Sequence, residues 1–179
     1  MRRARPGAEA AFTLLELLAC IVIILILATM LVGVFDRLRI SAETSACEAN
    51  LRSLYVAVSA HIQDRGGWPQ ISSDLLEGEG TAYAEAWNTA LAPYGISPKV
   101  WVCPTVQRQL KNPDLTHGHR RTDYIATPFD AEPRSPYLWE TQPWFIERAG
   151  VHEGGNRILF PSGKITPLHA VPRNLPSSG

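Results

Sequence analysis

Neither sign of charge is in excess in this sequence: 17 Lys and Arg stand against 17 Asp and Glu in 179 residues. That balance gives no electrostatic reason to expect nucleic acid or an anionic surface as the main partner. Cysteine is scarce. The three residues Cys20, Cys47 and Cys103 cannot build a disulfide framework. Cys20 falls inside an apolar run and reads as a small packing residue. Cys47 and Cys103 could pair if that part of the chain lies outside the cytoplasm. Internal repeats are absent, and the Pro- and Ser-containing tail is the longest stretch of low complexity.

Signatures of catalysis are missing too. There is no Gly-x-Ser-x-Gly elbow, no phosphate loop and no His-Glu-x-x-His, and the scattered carboxylates form no convincing pair. His117-Gly-His119 could offer two imidazoles to a metal, with His152, His169 or Cys103 as further ligands. Their spacing follows no standard zinc pattern, and Arg120 and Arg121 would oppose a cation, so the pair reads as a polar loop. Trp68, Trp87, Trp101, Trp139 and Trp144 could line a ligand groove, although such aromatics more often form the core of a small domain. The expectation is a chain that is not an enzyme and that carries no cofactor and no metal.

What the sequence does have is a long apolar run. From Leu17 to Phe35 no residue is charged, which matches the roughly 20 residues a helix needs to cross a bilayer core. Arg2, Arg3 and Arg5 precede the run against Glu9, and the free amino terminus adds to them. Arg37 and Arg39 follow it, with Asp36 between them, yet the balance favours a cytoplasmic N-terminus. An ordinary secretory signal peptide fits less well, because the run is long and no clear small-x-small site follows it. Glu16 lies at the start of the run, where an ionised carboxylate costs on the order of 3 kcal/mol. Taken alone, it would mark the headgroup boundary.

Its setting is Ala-Ala-Phe-Thr-Leu-Leu-Glu-Leu-Leu, residues 10 to 18. This segment resembles the class III leader of type IV prepilins and pseudopilins: a short basic leader, a small residue, then Phe, Thr, Leu, an apolar residue, Glu and a long apolar run. The resemblance implies cleavage by the prepilin peptidase between Ala11 and Phe12 and N-methylation of Phe12. It also implies an assembly role for Glu16, paired with the N-terminal amine of a neighbouring subunit. That pairing would turn two costly buried charges into one neutralised pair. The family usually has Gly before the cut, and Ala11 stands there here.

The helix is expected to continue well past the apolar run. Residues 34 to 64 contain neither Pro nor Gly. Ile40, Thr44, Cys47, Leu51, Leu54, Val58 and Ile62 recur in steps of three and four, one face of a helix. Gly66-Gly67 and Trp68-Pro69 should end it, and Gly33 is a candidate bend. A helix from Thr13 to Asp64 would be roughly 80 Å long. The segment Cys47 to Pro69 is similar to the C-x-x-N-L-(R/K)-x-(L/I) helix and Gly-x-Pro turn of G-type pseudopilin-like proteins. Beyond it, Ala82–Leu91 reads as a short helix closed by Pro93-Tyr94-Gly95, and Val100–Pro104 as a short strand. Asp123–Thr127 and Tyr137–Trp139 are weaker strand candidates. Arg157–Phe160 and Ile165–Leu168 form the clearest hairpin. His152, nine residues and then Ser162-Gly163 are similar to the H-x9-D-G ending of a bacterial subgroup of pseudopilin-like proteins, with Ser in place of Asp and Lys164 in place of a following His. Residue by residue, the same stretch reads as a hairpin turn with Gly163 at positive φ.

The expected fold class is α+β, a long N-terminal helix with a membrane-spanning first half, packed on a small loop-rich antiparallel sheet domain. The expected organisation is a cleaved leader at 1–11, a transmembrane and assembly helix at 12–35, the periplasmic half of that helix at 36–66, a small C-terminal domain at 67–171 and a flexible tail at 172–179. The resemblance implies a structural pseudopilin of a type II secretion system, single-pass in the inner membrane with its C-terminal domain in the periplasm. Its partners would be other pilin-like subunits in a homo- or hetero-oligomeric filament, the prepilin peptidase, the inner-membrane secretion platform and membrane lipid. A type IV pilin or minor pilin for a surface pilus or DNA uptake uses the same signal. A monomeric membrane-anchored binding domain or an anchored metalloenzyme would need the leader match to be accidental.

Overall fold

Nothing in the sequence interrupts a helix between Leu14 and Arg65: proline is absent and Gly33 is the one glycine. In the computed structural model the whole stretch is a single α-helix, α1 (Leu14–Arg65), 52 residues long and unbroken through Gly33. The structure describes residues 14–76, 81–109, 121–148, 152 and 155–168. The leader with Arg2, Arg3, Arg5, Ala11 and Phe12, the stretch holding His117, His119 and Arg120, and His169 with the 172–179 tail lie outside the described residues. The chain divides into two compact units, Met1–Ile40 and Ser41–Gly179.

In the first unit every described side chain of α1 is exposed, whichever way it faces. Among the described residues, α1 is the one helix long and apolar enough to cross a membrane. A helix apolar all round needs lipid or other protein around it.

In the second unit, α1 acquires an inside and an outside. Cys47, Leu51, Leu54, Val58 and Ile62 are buried, while Arg52, Val56 and Gln63 on other faces stay exposed. Full burial of a Leu or Val side chain stabilises by about 1.5–3 kcal/mol. Four strands form an antiparallel meander beside this face: β1 (Tyr124–Ala126), β2 (Phe145–Glu147), β3 (Arg157–Leu159) and β4 (Ile165–Pro167), in that spatial order. Their register places Ala126 opposite Phe145, Phe145 opposite Leu159, and Leu159 opposite Ile165. The fold is therefore α+β.

Aromatic side chains fill the space between these elements. Trp87 from α2 (Thr81–Leu91) has its ring centroid 5.9 Å from Trp68, 5.8 Å from Trp101 and 5.5 Å from Phe145. Trp144 stacks on Tyr55 of α1 at 5.2 Å and donates its indole N–H to the Pro136 carbonyl at 2.8 Å. Trp68, Trp87, Trp101 and Trp144 are core residues, and Trp139 is exposed. The β3–β4 turn lies against the helix, with the Tyr55 hydroxyl donating to the Pro161 carbonyl at 3.2 Å. Gly163 in that turn has φ 77°, the left-handed conformation expected of it.

Two local expectations need correction, and one strand was not foreseen. Val100–Pro104 is not a strand. Pro98 starts a 3-10 turn ending at Trp101, and Pro104 opens the helix α3 (Pro104–Gln109). In both places proline sits at a helix start, where its missing N–H costs nothing. Tyr137–Trp139 is not a strand either: Ser135–Leu138 is a one-turn helix, α4, with Pro136 near its start. β2, between β1 and β3, went unforeseen; it is three residues long and ends in Glu147.

The exit from α1 depends on Gly67. A Cβ there would lie 2.5 Å from the carbonyl oxygen of Ala131, too close for backbone to absorb without a shift. Gly67→Ala is expected to destabilise the Ser41–Gly179 unit by about 1–3 kcal/mol. Val56→Ala, at an exposed site on α1, should stay within about 0.5 kcal/mol. Thermal unfolding of the detergent-solubilised chain, followed by near-ultraviolet tryptophan dichroism, measures both.

Candidate functional site

Strand alternation places one acidic side chain inside the head. Phe145 and Glu147 are two residues apart in β2 and share a face. Phe145 belongs to the apolar core, so Glu147 must turn inward as well, and its side chain is fully buried. A buried carboxylate needs partners. Its Oε2 accepts the Arg157 backbone N–H at 3.1 Å, and its Oε1 lies 2.9 Å from His152 Nε2. Burial pushes the Glu147 carboxyl above its usual range, against the opposing pull of the Arg157 N–H and the His152 imidazole.

His152 comes from the β2–β3 connection, and its side chain is buried. Its Nδ1 lies 3.2 Å from Thr44 Oγ1 on α1, and its Nε2 also lies 3.4 Å from Cys103 Sγ. Cys103 occupies the short link between the 3-10 turn and α3. Its backbone N–H donates to Asp123 Oδ2 at 2.8 Å, and Arg121 holds the other Asp123 oxygen at 3.0 Å. Cys47, one turn along α1 from Thr44, is joined to Cys103 in a disulfide with the Cα atoms 5.2 Å apart. The Tyr124 hydroxyl donates to the Cys47 carbonyl at 3.4 Å, and burial raises that hydroxyl far above the usual phenol range. Asn50 donates to the Val102 carbonyl at 3.0 Å, bracing the residue before Cys103.

The cluster thus draws on α1, the loop before α3, β2 and the β2–β3 connection. All four of Cys47, Cys103, Glu147 and His152 are buried, and their ligating atoms lie within 4.8 Å of one another. Such an arrangement can hold a proton between imidazole and carboxylate, lock two chain segments by a disulfide, or, as the dithiol, offer a metal four donors. An open groove of about 400 Å³ lies elsewhere, at the C-terminal end of α1 between His61, Trp68, Thr89 and Tyr94.

Of the residues singled out from the sequence, Glu16 lies in the first turn of α1. Ala11 and Phe12 lie outside the described residues, as do His117, His119 and His169. Cys47, Cys103 and His152 come together, while Ser162 and Gly163 form the β3–β4 turn with the Gly163 N–H donating to the Phe160 carbonyl at 2.9 Å. Cys20 is a free, exposed cysteine. Sequence reasoning missed Glu147 and Thr44. The available signal for Glu147 was its position two residues after a core aromatic in Trp-Phe-Ile-Glu; Thr44 carried only its place on the buried face of α1. In comparisons with protein-family models, curated proteins and solved structures, the chain gives no match.

The disulfide bridges a sequence separation of 56 residues. On the chain-entropy account, a loop of that size stabilises by about 4 kcal/mol. The Cys47→Ala, Cys103→Ala double variant is expected to lose roughly that amount. Denaturant midpoints under oxidising conditions give the difference, and the wild type measured in reductant without metal should lose a similar amount.

Proposed function

We propose that this chain is a pilin-like structural subunit, specifically a pseudopilin of a type II secretion system. One observation carries the reading: α1 runs unbroken from residues exposed and apolar on every face into the buried face of a small α+β head. A helix that is apolar all round is suited to lipid and to packing against copies of itself. A helix that then supplies one face to a head makes anchor, assembly element and core out of a single segment. The motif Phe12-Thr13-Leu14-Leu15-Glu16 at its start supports the same reading.

On this reading the peptidase cuts between Ala11 and Phe12 and methylates the new amine of Phe12. Before assembly the apolar part of α1 sits in the inner membrane, with the head in the periplasm. During assembly the helix leaves lipid for a bundle of like helices, and Glu16 meets the N-terminal amine of a neighbouring subunit. Both charges gain there, because each satisfies the other where water is excluded. The secretion platform in the inner membrane would drive that transfer. The Cys47–Cys103 disulfide suits an oxidising compartment for the head.

The mass of the N-terminal peptide from membranes, with and without prepilin peptidase, is the direct test. The expected result is a chain starting at N-methylated Phe12 only where the peptidase is present. A chain that starts at Met1 in both cases overturns the assignment. Glu16→Ala should leave the head folded and the chain membrane-bound, yet lower its incorporation into filaments by tenfold or more on the order of an uncompensated charge. Filament shearing followed by immunoblotting measures that incorporation.

A further inference from the structure

The disulfide and the His152–Glu147 pair place four metal-ligating side chains in one buried cluster. We propose that the dithiol form of this chain binds one zinc ion through Cys47 Sγ, Cys103 Sγ, His152 Nε2 and Glu147 Oε1, and that oxidation to the disulfide closes the same site. The inference does not depend on the assembly reading, because processing at Phe12 and zinc binding can fail separately.

Compactness comes first. The four donors lie within 4.8 Å of one another, so once the disulfide is reduced and the two sulfurs move apart, one ion bonded to sulfur at about 2.3 Å and to nitrogen or oxygen at about 2.0 Å can reach all four. The donor set selects the ion. Two thiolates and an imidazole favour zinc over calcium or magnesium, which take oxygen ligands. Two thiolates and a carboxylate around Zn2+ leave one net negative charge, as in a Cys3His centre. Because all four residues are buried, the site is closed, as four-coordinate structural zinc sites are.

The surrounding hydrogen bonds already orient the donors. Thr44 Oγ1 engages His152 Nδ1 at 3.2 Å, which leaves Nε2 as the ligating nitrogen. The Arg157 N–H engages Glu147 Oε2, which leaves Oε1 to the ion. The backbones that carry the two sulfurs are held independently of the S–S bond. Cys47 is held in α1, and Cys103 is held by its N–H to Asp123. Supporting contacts of this kind fix ligand geometry in metal sites.

The protons and electrons balance. A newly made chain is already a dithiol. From the disulfide, a dithiol reductant supplies two electrons and two protons and becomes a disulfide itself. Zinc then displaces the two thiol protons and the proton lying between Nε2 and Oε1. The same joint can therefore be closed by coordination before oxidation and by a covalent bond after it.

The test uses the full, detergent-solubilised chain with Cys20→Ser, so that two thiols remain. The chain is reduced anaerobically with a non-chelating phosphine and titrated with Zn2+ against a chromophoric chelator. Expected are one zinc per reduced chain, none per oxidised chain, and a melting temperature of the reduced chain that rises with zinc concentration. Co2+ in place of zinc should show a thiolate charge-transfer band and the intense visible absorption of tetrahedral coordination. His152→Ala and Glu147→Gln should each weaken zinc binding by about tenfold or more, and Thr44→Val by about 10–100-fold. A reduced chain that binds no zinc overturns the proposal. So does an affinity that His152→Ala and Glu147→Gln leave unchanged, since thiols alone would then explain the binding. Should those variants fail to fold, the cobalt spectrum and the zinc-dependent melting of the reduced Cys20→Ser chain still decide.

Discussion

One face of α1, running through Cys47, Leu51, Leu54, Val58 and Ile62, is the surface on which the rest of the head is built. The four strands are each three residues long, too short to make an independently stable sheet. They persist because Tyr124, Phe145 and Leu159 share a core with that helix face. The loop-rich segments obey the same constraint. Trp87 from α2, Trp101 from the 3-10 turn, and Trp68 just beyond α1 are large side chains carried by short or irregular elements, and all three are buried. Where backbone regularity is scarce, a few aromatics supply the buried area that longer strands would otherwise provide.

That division explains what was readable in the sequence. α1, its buried face and its glycine exit follow from spacing and from the absence of proline, both local properties. The α2 helix with its Gly95 stop and the β3–β4 hairpin are legible for the same reason. The strand expected at Val100–Pro104 failed because an apolar run of that length is ambiguous until its partners are known. Trp101 and Val102 are buried by the core around a 3-10 turn rather than in a strand. β2 was invisible because its connection to β3 is too long to read as a tight hairpin turn, and a terminal Glu reads as solvent-facing when nothing local says otherwise.

The candidate site shows the same limit more sharply. Its members, Thr44, Cys47, Cys103, Glu147 and His152, span more than a hundred positions. Reasoning about metal ligands from local spacing grouped His152 and Cys103 with His117 and His119, and had no means of adding Glu147. What assembles the cluster is the sheet: β1–β2 pairing brings Glu147 opposite Tyr124, whose hydroxyl reaches the Cys47 carbonyl. The acid becomes a partner for His152 only after the strands have paired.

The position of this cluster along α1 has its own logic. Apolar burial on the helix begins at Cys47 and continues to Ile62. Just before and around that onset, polar and covalent links crowd together. Glu43 meets Arg108 of α3 at 2.9 Å, Thr44 meets His152, Cys47 is bonded to Cys103, Glu48 meets Arg157 of β3 at 3.2 Å, and Asn50 reaches the Val102 carbonyl. Five residues of one helix, Glu43, Thr44, Cys47, Glu48 and Asn50, are thereby tied to α3, to the loop before it, to β3 and to the β2–β3 connection. Exposed ion pairs such as Glu43–Arg108 add little individually, so the disulfide carries most of the strength of this collar. Without it the head would rest on α1 mainly through apolar packing, which resists separation but has little directional preference, and through scattered bonds such as that of Tyr55 to the Pro161 carbonyl. These links sit where the buried face of α1 begins. A joint of directional bonds at that level keeps the head in register with its helix, and a joint that can be closed by either coordination or oxidation can hold from synthesis onward.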